Sequence, residues 1–424
     1  MDKKISKAEK GLRGEITIPA DKSISHRAVM FSSLVNGKSI IKNFSNGADP
    51  HSTLQIFKNL GVKFEFLNNE LHVTSSGKLT PINNTLDCGN SGTTMRLVSG
   101  ILAGQKFDSI LTGDESLSKR PMKRIIEPLS LMGAKIKSNE NKAPLEIYGQ
   151  DLSGIEYQTP IASAQVKSAI LLAGLFANGK TTITEPSLSR NHTELMLSYM
   201  GANIKTDNTT TIIQKSTLEP KTIEICGDIS SAAYFIVAGL IIPNSKIILK
   251  NVGLNPTRTG IIDVVKAMGG NIEILDQKII SNELVGDIKV ETSDLKSCEI
   301  SGDLIPRLID EIPVIAVLAT QAQGTTIIKD AQDLRNKESD RIKAVVTELK
   351  KLGANIEETP DGIIIHGKTS LTGNTNVETY HDHRLAMSLY VAGLICNKEI
   401  SIKDFDWVNI SFPEFERLFS NLLT

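Results

Sequence analysis

The chain has 424 residues, a length that suggests two domains or three. Its hydrophobic fraction of 40% and charged fraction of 22% are typical of a soluble globular protein. With 47 Lys and Arg residues against 48 Asp and Glu residues, the formal net charge is -1. This balance argues against a dedicated nucleic-acid-binding protein, so a site for an anion has to come from local clusters of basic residues.

The cysteine pattern argues against a metal site and a disulfide framework. The four cysteines (Cys88, Cys226, Cys298 and Cys396) are scattered, with no C-x-x-C pair, so we expect neither zinc nor disulfides and place the protein in a reducing cytoplasm. The N-terminus lacks an apolar signal region, and no apolar run approaches transmembrane length. We therefore expect no association with a membrane.

Residues 21–27 (DKSISHR) form the most informative stretch near the N-terminus. They follow a strand-like run and precede an apolar, helix-like run, so Lys22 and Ser23 are predicted at a strand-to-helix turn. The free N–H groups of a helix start attract anions, and the hydroxyl and cationic groups in this stretch add further donors. An ordinary capped helix with solvated charges explains this stretch equally well when it is taken alone.

Self-similarity along the chain predicts six copies of one supersecondary unit. In each copy, a polar or Gly-rich turn precedes an apolar helix, and a Gly or Asn turn then leads into a short β-branched strand. The copies recur roughly every 65 to 80 residues, a spacing that suits a supersecondary unit rather than a solenoid repeat. They lie at residues 25–43, 89–111, 162–183, 227–248, 309–328 and 381–402.

A second helix is predicted to follow in each copy, and five of these helices are predicted to end at a glycine (Gly61, Gly133, Gly201, Gly269 and Gly353). With the strands that follow, each copy is predicted to be a βαβαββ unit. The last copy ends at residues 415–419 without a return strand, and we expect residues 14–18 to supply it.

Six units divide naturally into two domains of three. We place the chain crossings near Pro19 and Cys226, which gives an N-terminal domain of residues 20–225 and a C-terminal domain of residues 1–19 plus 226–424. If the units are related by pseudo-symmetry, their first helices point the same way. Two facing domains would then direct many helix N-termini at one cleft, which would attract anions strongly.

Five further stretches combine charges or glycines at predicted helix starts: residues 89–93 (GNSGT), 119–121 (KRP), 310–311 (DE), 337–341 (KESDR) and 382–384 (DHR). In the fourth, Lys337 and Arg341 would share one helix face at i,i+4. Each stretch has an ordinary explanation as well, such as a cap, a solvated ion pair or a plain turn. Cys88, beside the first stretch, is predicted to be a small buried residue rather than a nucleophile.

The combination of these stretches is more informative than any one of them. A cationic cluster of Lys22, Arg27, Arg120, Arg341 and Arg384 would hold two phosphate-bearing substrates. The side chains of Asp310, Glu338 and His383 could move protons between these substrates.

With these stretches the chain resembles the enolpyruvyl transferases, and most closely the branch whose acceptor is shikimate 3-phosphate. The resemblance covers essentially the whole chain. It is carried by residues 21–27 (DKSISHR), 89–96 (GNSGTTMR), 119–121 (KRP), 163–165 (SAQ), 337–341 (KESDR) and 382–387 (DHRLAM), in this order.

The resemblance implies two inside-out α/β domains, each of three pseudo-symmetric βαβαββ units, joined by a two-stranded hinge, with the active site in the cleft between them. It also implies the reaction. The enolpyruvyl group of phosphoenolpyruvate would pass to the 5-hydroxyl of shikimate 3-phosphate through a tetrahedral intermediate that releases phosphate, a step toward aromatic amino acids. No metal, cofactor, nucleic acid or membrane is expected, and we expect a monomer because the repeats can bury their faces within one chain.

The resemblance also implies roles for individual residues. Asp310 would accept the hydroxyl proton, and Lys22, Glu338 and His383 would take part in acid–base chemistry. The phosphoenolpyruvate ligands would be Lys22, Gly92, Arg120, Gln165, Arg341 and Arg384. The shikimate 3-phosphate ligands would be Lys22, Ser23, Arg27, Ser163, Ala164, Gln165, Arg190, Asp310 and Lys337.

The sequence departs from the family pattern in places. Leu97 stands where many members have Pro, and residues 409–410 (NI) stand where many members carry a Lys ligand. Residues 163–168 and 190–194 look like the subgroup associated with tolerance of the inhibitor glyphosate, although that subgroup often has Ala where Gly92 stands, so tolerance stays open.

Two other functions are alternatives to this one. A UDP-N-acetylglucosamine enolpyruvyl transferase would typically have a Cys in the loop at residues 113–119 (GDESLSK), which has none here, and Asn in place of Ser23. A catalytically inactive scaffold that binds anionic metabolites is the second alternative. The presence of Lys22, Asp310, Glu338 and Arg384 argues against it.

Overall fold

A computed structural model describes residues 1–81 and 85–423 of the chain. Residues 82–84 and Thr424, which the predicted domain ranges include, lie outside the described residues. The chain forms two compact units. The first unit contains Ala20–Ile225 and Ile279–Glu283, and the second contains Met1–Pro19, Cys226–Lys278 and Leu284–Thr424.

Strands and helices alternate along the chain. Up to the end of the first unit's main segment they are β1 (Lys3–Ile5), β2 (Arg13–Thr17), α1 (Lys22–Ser33), β3 (Asn36–Lys42), α2 (Ala48–Asn59), β4 (Lys63–Leu67), β5 (Glu70–Ser76), β6 (Thr85–Asp87), α3 (Gly92–Ala103), β7 (Ser109–Thr112), α4 (Glu115–Lys119), α5 (Lys123–Leu131), β8 (Lys135–Asn139), β9 (Lys142–Tyr148), β10 (Glu156–Gln158), α6 (Ala164–Gly174), β11 (Lys180–Thr184), α7 (His192–Tyr199), β12 (Ile204–Asp207), β13 (Thr210–Gln214) and β14 (Thr222–Glu224).

The rest of the chain continues this pattern. Its elements are α8 (Ile229–Ile241), β15 (Lys246–Gly253), α9 (Gly260–Ala267), β16 (Asn271–Ile280), β17 (Glu283–Glu291), β18 (Glu299–Ile300), α10 (Ile305–Leu308), α11 (Ile312–Thr320), β19 (Gly324–Ile328), α12 (Arg341–Lys351), β20 (Asn355–Thr359), β21 (Gly362–Gly367), β22 (Asn376–Val377), α13 (His383–Gly393), β23 (Ile400–Ile402) and α14 (Phe415–Leu422), with short 3-10 helices at Gly302–Leu304, Gln332–Asn336 and Phe405–Ile410.

The strands of the first unit form three four-stranded sheets with the same strand order. These sheets are β14-β3-β5-β4, β6-β7-β9-β8 and β10-β11-β13-β12. In each sheet the first two strands are parallel, and the last two form an antiparallel hairpin. The strand pattern of the predicted unit is therefore present, and in the second and third of these sheets a crossover that contains a helix joins the parallel pair.

The second unit repeats this strand order twice and then shortens it. Two of its sheets are β2-β15-β17-β16 and β18-β19-β21-β20, and the third is the three-stranded sheet β1-β23-β22. The expectation that residues 14–18 close the last sheet is wrong. Strand β2 pairs in parallel with β15, and β1 pairs antiparallel with β23. Because only Ile5 of the three residues in β1 is buried, this strand lacks the alternating pattern that reveals a strand in a sequence.

The first strands of two sheets come from distant parts of the chain. Strand β2 immediately precedes α1 in the sequence but pairs with β15, whereas β14 immediately precedes α8 but pairs with β3. Two of the passages of the chain between the units, after Pro19 and after Ile225, each follow one of these strands. At these two places, the strand and the helix that follows it in the sequence therefore lie in different units.

Helices form the interior of each unit. The first helices of the first unit (α1, α3 and α6) bury nearly every residue. A Cβ atom at Gly100 of α3 would lie 2.1 Å from the backbone oxygen of Ala169 in α6, so only glycine permits this approach. At the C-terminal ends of the second helices, all five predicted glycine stops have positive φ, as the sequence predicts.

Candidate active site

The first stretch of interest begins α1. The side chain of Asp21 caps this helix by accepting a hydrogen bond from the backbone N–H of Ile24 at 2.8 Å. Lys22 is the first helical residue, and its Nζ lies 3.0 Å from Oδ2 of Asp49 in the first turn of α2. Sequence reasoning missed Asp49, because an acidic residue in the first turn of a helix is an ordinary feature.

Arg27 lies one turn further along α1 and is buried. Its Nε donates to Oγ1 of Thr193 at 2.7 Å, its Nη2 donates to Oγ of Ser168 at 2.9 Å, and its Nη1 donates to the backbone oxygen of Ser23 at 2.9 Å. Burial lowers the pKa of Arg27 to about 10, against the opposing effect of Glu194. The guanidinium therefore stays cationic near neutral pH, and its position is fixed by three elements of the first unit.

The Gly-rich stretch begins α3. Ser91 is the N-cap residue, and Gly92 is the first helical residue. A Cβ atom at Gly92 would lie 2.7 Å from Nη1 of Arg96 and 3.4 Å from Nη1 of Arg120. Glycine at this position thus lets two guanidinium groups approach the start of the helix.

Side-chain hydrogen bonds link this helix start to neighbouring elements. Nη1 of Arg96 donates to Oε1 of Gln165 at 2.7 Å, and Nε2 of Gln165 donates to Oγ1 of Thr93 at 2.9 Å. Nη2 of Arg120 donates to Oδ1 of Asn90 at 3.0 Å. The structure therefore brings Gly92, Arg120 and Gln165 together as predicted. It adds Arg96, which the sequence motif contains but to which no role was given.

Arg120 was expected just before a helix that begins with Pro121. It instead follows the short helix α4 as its C-cap residue, and α5 begins at Lys123. Ser163 is the N-cap residue of α6 but makes no side-chain cap hydrogen bond, and Ala164 is the first residue of that helix. Arg190 lies just before α7, and its charge acts on Arg27.

In the second unit, three cationic groups surround the carboxylate of Asp310. Oδ1 of Asp310 lies 3.3 Å from Nη1 of Arg341 and 3.8 Å from Nζ of Lys337. Oδ2 lies 3.8 Å from Nη2 of Arg384. Nearby cations favour the ionised form of a carboxylate, which is the form that can accept a proton.

Arg341 is the centre of a buried ion-pair network and is 2% exposed. Its Nε lies 2.8 Å from Oδ2 of Asp382, and its Nη2 lies 2.6 Å from Oε2 of Glu338. Burial alone would lower the pKa of Arg341, but Asp382, Glu338 and Asp310 together raise it above the ordinary value. This guanidinium is a permanent charge that holds three carboxylates in one place.

The prediction that Lys337 and Arg341 share one helix face is wrong. A 3-10 helix ends at Asn336, Lys337 is its C-cap residue, and α12 begins only at Arg341, with Asp340 as its N-cap. The short polar side chain of Asp340 accepts a hydrogen bond from the N–H of Lys343 and so starts a new helix here. Lys337 and Arg341 nevertheless both approach Asp310, because the chain between the helices turns.

The DHR stretch begins α13 as predicted. Asp382 is the N-cap residue, and its Oδ1 accepts from the N–H of Arg384 at 2.9 Å while its Oδ2 accepts from Oγ of Ser339 at 3.1 Å. His383 is the first residue of the helix and is buried. One cap residue thus fixes the start of α13 and, through Arg341, the start of α12.

Arg384 is 8% exposed. Burial acts to lower its pKa, but Asp310, Tyr234, Glu311 and Asp228 raise it above the ordinary value. Among the described residues its guanidinium forms one ion pair, with Asp310 at 3.8 Å, and donates no side-chain hydrogen bond. A nearly buried cation with unused donors is suited to binding an anion.

The described parts of the chain give less support to a cysteine nucleophile, a metal site or a membrane-spanning helix. Cys88 is buried as predicted, and burial raises the pKa of its thiol, which disfavours a nucleophilic thiolate. No cluster of three or more His, Cys, Asp or Glu side chains in the described ranges could hold a metal ion. Within those ranges, no helix is long and apolar enough to cross a membrane.

The solved structure of the enolpyruvyl transferase NikO from Streptomyces tendae has the same fold, with a TM-score of 0.79 at 15% identity over 99% of this chain and 96% of that chain.

The family is shown by closer comparisons. A model of the family EPSP synthase (3-phosphoshikimate 1-carboxyvinyltransferase) matches residues 6–419, and the chain belongs to this family. It is 55% identical to a 3-phosphoshikimate 1-carboxyvinyltransferase from Thermoanaerobacter sp. (strain X514), covering 98% of this chain and 99% of the relative. Its identity to the relative of the same name from Bacillus subtilis (strain 168) is 52%, covering 95% and 96%.

The solved structure of EPSP synthase from Acinetobacter baumannii has a TM-score of 0.89 at 42% identity, covering 99% of this chain and 98% of that chain. The resemblance read from the motifs and the α/β fold class are thereby confirmed. The alternative of a UDP-N-acetylglucosamine enolpyruvyl transferase is not favoured.

Proposed function

We propose that this protein transfers the enolpyruvyl group of phosphoenolpyruvate to the 5-hydroxyl of shikimate 3-phosphate and releases phosphate. The observation that carries the proposal is the carboxylate of Asp310 among Arg341, Lys337 and Arg384, in a chain that matches its family over nearly its full length. An addition to phosphoenolpyruvate requires a base for the hydroxyl proton and, beside it, cations that bind the anionic substrate.

In the proposed mechanism, Asp310 accepts the proton of the 5-hydroxyl while that oxygen adds to carbon 2 of phosphoenolpyruvate. Carbon 3 receives a proton in the same addition. The tetrahedral intermediate then loses a proton from carbon 3 as the bond to phosphate breaks. Lys22 and Glu338 are the proposed acid–base groups at carbon 3, with His383 as a further proposed participant.

We also propose that substrate binding makes Asp310 a stronger base. Arg341 and Arg384 both approach its carboxylate, and the same two side chains are the proposed ligands of phosphoenolpyruvate. An anionic substrate that draws these cations toward itself would reduce their stabilisation of the ionised Asp310. Substrate binding would then increase the basicity of the residue that accepts the hydroxyl proton.

The other proposed ligands are grouped by the substrate that each would bind. For phosphoenolpyruvate, we propose Lys22, Gly92, Arg120, Gln165, Arg341 and Arg384 as ligands. For shikimate 3-phosphate, we propose Lys22, Ser23, Arg27, Ser163, Ala164, Gln165, Arg190, Asp310 and Lys337. We further propose that both sets act on one pair of substrates in a cleft between domains of residues 20–225 and of residues 1–19 plus 226–424.

The deciding experiment measures phosphate release from phosphoenolpyruvate with either shikimate 3-phosphate or UDP-N-acetylglucosamine as the acceptor. We expect release only with shikimate 3-phosphate. Absence of release with that acceptor would refute the proposal, and binding of both substrates without release would favour an inactive scaffold. We also propose that the protein is a monomer, which sedimentation tests. We propose a cytoplasmic location as well, which cell fractionation tests.

A further inference from the structure

A chain of buried hydrogen bonds connects three helices of the first unit and ends beside Gly92. Nδ1 of His26 in α1 lies 2.7 Å from Oγ1 of Thr53 in α2, which lies 2.7 Å from Oγ1 of Thr94 in α3. Oγ1 of Thr94 donates to Oγ of Ser91 at 2.8 Å. All four side chains are almost completely inaccessible to solvent, and none has a role in the mechanism above.

The chemistry of the groups fixes the direction of this chain. A hydroxyl has one proton to donate. Since Thr94 donates to Ser91, it must accept from Thr53, and Thr53 must in turn accept from Nδ1–H of His26. The ring therefore carries its proton on Nδ1, and its Nε2 is buried without a hydrogen-bond partner among the described residues.

Two observations agree that the ring of His26 is neutral. A protonated ring would carry a second N–H at Nε2, where the described residues supply no acceptor. Burial lowers the pKa of His26 well below its ordinary value, and the neighbouring charges of Lys22 and Arg27 lower it further. The hydroxyl chain therefore keeps one direction across the physiological pH range.

Ser91 ends the chain with an unused proton. Its Oγ accepts both from the backbone N–H of Thr94 at 3.1 Å and from Oγ1 of Thr94 at 2.8 Å. Its own hydroxyl proton must point away from these two donors, and no acceptor for it exists among the described residues. Ser91 stands between Asn90, which accepts from Arg120, and Gly92, which admits two guanidinium groups.

We infer that His26 and Thr53 are positioning residues for phosphoenolpyruvate binding, because they orient Thr94 and Ser91 so that the Ser91 hydroxyl donates to an anionic group of this substrate at the start of α3. The inference rests on the proposed function for the identity of the anion. It adds Ser91 to the substrate-binding side chains and gives a role to the histidine in the DKSISHR stretch.

The test is a set of near-isosteric variants, Thr53→Val and Thr94→Val, together with Ser91→Ala. Loss of one hydrogen bond to a charged group of the substrate corresponds to a rise of at least about tenfold in KM for phosphoenolpyruvate. We expect that rise in all three variants, with KM for shikimate 3-phosphate and kcat within about twofold of the original values. The matched control is Ser99→Ala, since Ser99 lies on the same helix, is buried and donates to its own helix backbone.

A second pair of variants separates positioning from packing. The side-chain amide of His26→Asn can donate from about the place of Nδ1 and should retain most of the affinity for phosphoenolpyruvate, whereas His26→Leu should lose it. The double variant Thr53→Val with Thr94→Val should be no weaker than either single variant, because both interrupt one chain. A lowered unfolding temperature with unchanged KM in Thr53→Val would overturn the inference.

Direct calorimetric titration with phosphoenolpyruvate, with and without shikimate 3-phosphate, distinguishes the possible failures. Absence of turnover in the unaltered protein, with phosphoenolpyruvate affinity still lowered in Thr53→Val, would refute only the proposed function. Normal turnover with equal affinity in all variants would refute only the role of the hydroxyl chain.

Discussion

At the scale of single residues, the charges around Asp310 allow binding and turnover to be separated. Its carboxylate partly neutralises Arg341, Lys337 and Arg384. Removing it takes away the proposed base but leaves these cations for the substrates. The same residue therefore has opposite effects on the two steps.

We expect Asp310→Ala to reduce kcat by about 10²–10⁴-fold, the usual contribution of a general base. Binding of phosphoenolpyruvate plus acceptor should be retained, because the site becomes more positive. Steady-state kinetics and calorimetry measure the two effects separately. The exposed Asp303 supplies the control variant Asp303→Ala, and unchanged turnover in Asp310→Ala would remove Asp310 as the base.

Gly92→Ala tests the approach of the two guanidinium groups to the start of α3. The added methyl would lie 2.7 Å from Nη1 of Arg96, so this side chain and its hydrogen bond to Gln165 must shift. Misplacing one charged donor should raise KM for phosphoenolpyruvate about tenfold. KM for shikimate 3-phosphate should change less.

The control is Gly239→Ala in α8, where the new Cβ atom would meet only side-chain carbons of Val290 and Ile247. It should alter stability without altering KM. If Gly92→Ala has the KM of the unaltered protein, the guanidinium positions do not set this affinity.

At the scale of elements, helix starts carry the site and helix interiors carry the packing. The start of α13 joins both roles, since the cap residue Asp382 also anchors Arg341. Sequence patterns predicted polar turns at the starts of α1, α3 and α13, because cap residues and glycines act locally. The start of α12 was misplaced, because a charged run that suits a helix face equally suits a turn.

The buried pair of Asp382 and Arg341 predicts an acid-sensitive stability. Burial alone would raise the pKa of Asp382, but Arg341 and His383 act against burial and the net effect is a lowered pKa. Because the folded-state pKa lies below the unfolded one, the stabilisation is complete above about pH 4 and is lost as the pH falls through the lowered value. Asp382→Asn should reduce the free energy of unfolding near pH 7 and flatten its decline at acid pH, as measured by urea titrations.

Parallel acid profiles in the two proteins would show that Asp382 does not contribute this dependence. Exposed Asp303→Asn is the control and should leave the profile as it is.

The close contact of α3 with α6 should tolerate no side chain. In Gly100→Ala the new Cβ atom would lie 2.1 Å from the backbone oxygen of Ala169, so the helices must separate. Overpacking of this kind costs about 1–3 kcal/mol, which chemical denaturation can measure. Leu131→Ala, at a side chain that is 65% exposed, is the control, and equal midpoints for the two variants would contradict the packing argument.

At the scale of the whole molecule, the N-terminal segment belongs to the sheets of the second unit. Strand β1 pairs with β23, and β2 pairs with β15. The assignment of six repeats succeeded because helices and hairpins repeat in the sequence. The assignment of the closing strand failed because pairing between the two ends of the chain leaves no local pattern.

Ile5→Ala tests this closure. Ile5 is buried and a Cβ atom at Gly393 would lie 2.8 Å from its Cγ2, so truncation leaves a cavity between β1 and α13. We expect a loss of about 2 kcal/mol in the free energy of unfolding, with little change in KM for either substrate. Lys4→Ala, at an exposed position of the same strand, is the control, and an unchanged midpoint for Ile5→Ala would mean that β1 adds little stability.

The sequence by itself determined the α/β class, the six repeats and the polar residues at helix starts. Each of these depends on periodicity, caps and glycines within a few neighbouring residues. Only the tertiary structure decided which sheets β1, β2 and β14 join, that Asp49 pairs with Lys22, and that His26 begins a hydroxyl chain. Such contacts join residues far apart in the chain, and their energies depend on burial and geometry that no local pattern records.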